Sequence, residues 1–136
     1  MANKHRGETD IVLLGKTHTV RLTFAALCEL EDMVGKTAWE LLQEFARQKA
    51  STRVITSIIY CGIRGMYPED KSDCPSWNEL GEIAYRHGLT DKDLLLSITE
   101  CLLFAVGGDA GVKALSEEEK TKKPKAKAKA KGTAKT

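Results

Sequence analysis

The chain has 136 residues, a length that suits one domain of ordinary size. It holds 21 Lys and Arg against 19 Asp and Glu, but residues 121–136, TKKPKAKAKAKGTAKT, contain seven of those lysines and no acid. Without the seven, 14 basic residues face 19 acidic ones, so the body is about −5 and is a poor platform for a phosphate backbone. No run approaches the roughly 18–20 apolar residues that span a bilayer, and MANKHRGETD lacks the apolar core of a signal peptide, so a cytoplasmic protein is expected.

Residues 1–7 are polar and expected to be loose. ETDIVLLGKTHTVRLT reads as a β-hairpin, two β-rich runs about Gly15-Lys16, with glycine at the first loop position as a type II′ turn requires. Val20 and Leu22 alternate with Thr19 and Arg21, which buries one face of the second strand. A lone hairpin is marginal in water and has to pack on something.

The partner is helical. TFAALCELEDMVG sets Ala26, Leu27, Leu30, Met33 and Val34 on one face, with Thr23 as cap and Gly35 as stop. TAWELLQEFARQKA opens with a capping box, Thr37 and Glu40, and has an apolar stripe at Ala38, Leu41, Leu42, Phe45 and Ala46. STRVITSIIYCGIRGM is β-branched, yet Val54, Ile55, Ile58, Ile59 and Ile63 fit the wide apolar arc of a central helix. YPEDKSDCPS is a loop. SWNELGEIAYRHG carries a second box, Ser76 with Glu79, turns Leu80, Ile83, Ala84 and His87 inward and closes at Gly88. TDKDLLLSITECLLFAVGG is the last helix, capped by Thr90 and stopped by Gly107-Gly108. The expected fold is α+β but mostly α, a hairpin and about five helices over 1–108, with a disordered Lys/Ala-rich tail over 109–136.

Nothing in the sequence asks for catalysis or a cofactor. His5, His18 and His87 have no Cys, Asp or Glu at metal-ligand spacing, and His87 reads as a helix C-terminal cap. GxSxG, P-loop and GxGxxG motifs are missing, and GIRGMY lacks the flanking pattern of a phosphate loop. Glu29, Glu31 and Asp32 read as a solvated helix face. Cys28, Cys61 and Cys101 sit in apolar patterns and Cys74 in a loop, so three buried thiols and one exposed are expected. No catalytic, metal or cofactor residue is assigned.

Two binding features remain. The first is the Ala84–Gly88 turn, which resembles a helix-turn-helix spacing; the helix after it, however, begins Thr90, Asp91, Lys92, Asp93, and two aspartates would face phosphates. A small DNA-binding regulator is therefore the alternative from another class, with Lys122, Lys123, Lys125, Lys127, Lys129, Lys131 and Lys135 giving weak, non-specific contact. The second feature is the last helix. At about 100° per residue, Leu94, Ile98, Cys101 and Ala105 share one face, while Leu96 and Leu103 fall nearly opposite with Phe104 to one side. Leu96, Leu103 and Phe104 are thus the candidate partner-binding or self-association residues, unless the helix is buried on all sides.

HRGE at 5–8, the hairpin, and the run Ala26, Leu27, Glu29, Leu30, Glu31 followed by Gly35 resemble the small tail proteins of gene transfer agents and related siphophages. These are grouped with the phage tail assembly chaperones and are also described as a tail tube protein family. The resemblance extends over about residues 3–108; the lysine tail and YPEDKSDCPS depart from it. It implies a non-enzymatic assembly protein of the bacterial host cytoplasm. Such a protein binds the tape measure protein, keeps it soluble and helps tail tube subunits polymerise around it, without a membrane and as a possible homo-oligomer. A structural tail tube component is the alternative within the same biology.

Overall fold

The computed structural model describes residues 2–108. The tail and the expected boundary at 109 lie outside that span.

Strands β1 (Thr9–Leu13) and β2 (Lys16–Val20) pair antiparallel, from Thr9 opposite Val20 to Leu13 opposite Lys16. The loop is Leu14-Gly15, one residue earlier than expected, and both residues are left-handed, with φ of 51° and 78°. This is the type I′ geometry, whose twist matches that of the strands, in place of the type II′ expected at Gly15-Lys16. Gly15 accepts such a φ freely; Leu14 does so at a cost.

Residues 2–7 are folded onto the hairpin, contrary to the expected loose segment. Lys4–Arg6 form a 3-10 turn closed by Gly7, and the adjoining Glu8 is buried. A buried carboxylate needs donors, and this one accepts the Asn3 N–H at 3.0 Å and pairs with Arg6 at 3.5 Å.

Among the described residues five helices follow. Four are α1 (Phe24–Val34), α2 (Ala38–Ala46), α3 (Thr52–Arg64) and α4 (Trp77–His87); the fifth, α5, spans 92–108. Side-chain oxygens of Thr23, Thr37, Ser51 and Ser76 cap the first four, and Thr37 with Glu40 makes the expected full box. For α5 the residue before the helix is Asp91, not Thr90, and the backbone N–H groups of Asp93 and Leu94 help to hold its carboxyl below the usual range. Asp91 is the better cap because its charge meets the positive end of the helix.

Helix α3 is central and packs against α1, α4 and β2, with Ile58 and Ile59 fully buried. Its two C-terminal glycines let it touch the chain after β2. The Arg21 N–H donates to the Gly62 carbonyl at 2.9 Å, and a Cβ on Gly65 would lie 1.9 Å from the Arg21 carbonyl oxygen. GIRG is therefore a close-approach element. Arg64 bonds Glu29 at 3.1 Å, Glu31 accepts the Ala38 N–H at 2.9 Å, and the Trp77 indole donates to Ser57 at 3.1 Å. Glu29 and Glu31, expected on a solvated face, thus tie α1 to α3 and α2. Cys61 and Cys101 are buried, whereas Cys28 is exposed and Cys74 half-buried, so one expected buried thiol faces solvent.

Candidate partner-binding surface

The last helix divides its residues as its periodicity requires. Leu94, Ile98, Cys101 and Leu102 are buried, and Ala105 is half-buried. On the far side Leu96 is 68% exposed, Leu103 39% and Val106 38%. Phe104 is only 4% exposed. One position along a helix is a turn of about 100°, which carries Phe104 off the Leu103 face and into the protein. It lies instead with Gly7, Thr23, Phe24 and Leu27 beside a groove at the start of α1.

Leu96, Leu103 and Val106 lie within an arc of about 80°, and Lys4 holds Glu100 beside them at 3.3 Å. Val106 was not among the expected residues; its spacing of three from Leu103 was the available signal. At the start of α5 the seam opens into a cleft of about 590 Å³ lined by Phe45, Ile55, Leu89, Leu95 and Leu96, with Lys92 beside them. The cleft could not be read from sequence, since it joins the end of α2 to α3 and α5.

The polar groups nearby position elements. The carboxyl of Asp91 is held below its usual range, chiefly by a hydrogen bond to His87. The Nε2 of His87 lies 2.7 Å from Asp91 and its Nδ1 accepts the Leu14 N–H at 3.0 Å, so this residue is a bridge and not the expected helix cap. Burial lowers the pKa of His18, with Lys16 adding to the effect. Burial pushes the Cys101 and Cys61 thiols up to about 12, with Glu29 adding to the latter, so both are poor nucleophiles at neutral pH. Among the described residues no group of three His, Cys, Asp or Glu is placed to hold a metal ion, and no helix is long and apolar enough to cross a membrane. The tail lysines lie outside the described residues.

Among the described residues, one hairpin, five helices and a leucine seam turned to solvent define a small, helix-rich domain with open apolar surface. The chain belongs to the family described as phage tail tube protein, GTA-gp10, whose model matches residues 6–73, half of the chain. The match runs from Arg6 through the hairpin and α1–α3 into the following loop, a narrower span than the 3–108 expected, and it ends before α4 and α5. No curated protein and no solved structure matches the chain. The protein is thus a phage or gene-transfer-agent tail protein, and its family description is that of a structural component rather than an enzyme.

Proposed function

We propose that this tail protein acts during assembly as a chaperone. Its α5 seam and the adjoining cleft hold apolar segments of the tape measure protein while tail tube subunits polymerise around it in the host cytoplasm. The observation that carries the reading is the exposure of Leu96, Leu103 and Val106 along one side of a helix whose other side is core. Solvent-facing leucines in register fit the capture of an apolar helix, which reads as anchors at i, i+3 and i+7. The fold adds support: a tube ring asks for extended β-structure, and the sheet described here has two strands. The test is co-expression with a tape measure fragment that aggregates alone. The wild-type chain keeps it soluble, and the double change Leu96→Ser with Leu103→Ser does not.

A structural tail tube component is the second reading, and the family description fits it more directly. The two separate on purified particles: a tube component is present in many copies per tail, a chaperone is lost on maturation.

A further inference from the structure

The hairpin has an edge that the described residues leave open. A two-residue type I′ loop makes Leu13 and Lys16 the closing hydrogen-bonded pair, and the alternation then gives Ile11–His18 and Thr9–Val20 as the others. The backbone N–H and C=O of Thr17 and Thr19 therefore point away from β1. The next outward residue, Arg21, is bonded to Gly62, so α3 closes the edge at that end. Among the described residues, no hydrogen bond reaches Thr17 or Thr19 from that side. Exposed edges are usually blunted by charge, proline or a bulge; here Lys16 guards one end and the middle is threonine.

Beside this edge lies a groove of about 550 Å³, lined opposite β2 by Ile63, Met66 and Tyr67 and by Asp70 and Asp73 of the loop after α3. We propose that the β2 edge and this groove form a second docking site, which takes an extended, lysine- or arginine-bearing segment of a partner chain by strand addition. The outward N–H and C=O groups of Thr17 and Thr19 supply backbone hydrogen bonds. Tyr67 and Met66 receive alternate side chains, and the two aspartates select basic ones. The Asp70 carboxyl is held below its usual range by hydrogen bonds from Ser72, which keeps it charged. The groove gives a role to the 65–76 loop, which the α5 reading leaves unused. It is independent of whether the chain is a chaperone or a tube component.

The test uses the full chain labelled with nitrogen-15 and two acetylated heptapeptides as probes, Thr-Lys-Val-Lys-Thr-Lys-Val and its counterpart with glutamate for lysine. The lysine peptide is expected to slow amide exchange at Thr17 and Thr19 and to shift Tyr67; the glutamate peptide is expected to do neither. Asp70→Asn with Asp73→Asn should weaken binding about threefold or more. Thr17→Pro should abolish it, because it removes an outward donor that the hairpin ladder does not use. If that proline disturbs the hairpin, Tyr67→Ala, outside the strands, serves in its place and should weaken binding. Equal responses to the two peptides, or no protection at Thr17 and Thr19, overturn the proposal. So does a lysine peptide that binds only after residues 121–136 are removed, since the chain's own lysine segment is then the occupant.

Discussion

The Nδ1 of His87 accepts the backbone N–H of Leu14 at 3.0 Å, which fastens the hairpin tip to the end of α4 across 73 positions of sequence. The same ring meets Asp91, the cap of α5, through Nε2 at 2.7 Å. One imidazole thus joins three elements, the hairpin tip through Nδ1 and the start of α5 through Nε2.

Because Leu14 sits at a φ of 51°, the tip carries strain that a better turn residue would relieve. Leu14→Asn creates the Asn-Gly pair that type I′ loops favour, and it should raise stability by about 1 kcal/mol in urea unfolding. His87→Ala should lower it by about 1 kcal/mol through loss of the bridge.

Acid should destabilise the protein in two stages. Burial depresses the folded-state pKa of His18, so the unfolded chain takes up a proton first, and stability falls as pH drops below about 6.5. Asp91 is also depressed in the folded state; its contribution is present above the unfolded carboxyl value of about 4 and is lost below it. His18→Gln should flatten the first stage alone, as read from denaturant midpoints between pH 7 and pH 5.

Much of this arrangement was legible in the sequence, for physical reasons that can be named. Helix α3 declared itself through the 3.6-residue spacing of its isoleucines in spite of their β-branching, and the Thr37–Glu40 box located α2. Local signals erred where two choices lie one residue apart, at Leu14-Gly15 against Gly15-Lys16 and at Asp91 against Thr90. Phe104 was grouped with the exposed leucines although it is buried, because a helix wheel gives angles, not the position of the neighbouring elements. The roles of His87, Gly65 and Glu31 were hidden for another reason: each depends on a partner distant in sequence or on another element.

Gly65→Ala should cost about 3 kcal/mol, because the new Cβ would meet the Arg21 carbonyl oxygen, a backbone atom that cannot step aside. Thermal unfolding is the check, with Gly15→Ala, where a Cβ meets nothing and only the φ is strained, as the milder comparison.

Thiol labelling should sort the cysteines by depth. In the native protein iodoacetamide should modify Cys28 readily and Cys74 more slowly. Cys61 and Cys101, buried and with thiols pushed up to about 12, should react only after unfolding. Intact-mass spectra over time report the order.

The α5 seam is tested most directly by Leu96→Ser combined with Leu103→Ser, compared with wild type for fold by circular dichroism and for the ability to keep a tape measure fragment soluble. Both leucines face solvent in part, so the expected result is a folded variant, changed in stability by about 1 kcal/mol or less, that lets the fragment aggregate. A folded variant that protects the fragment as well as wild type does would remove this helix face from the mechanism.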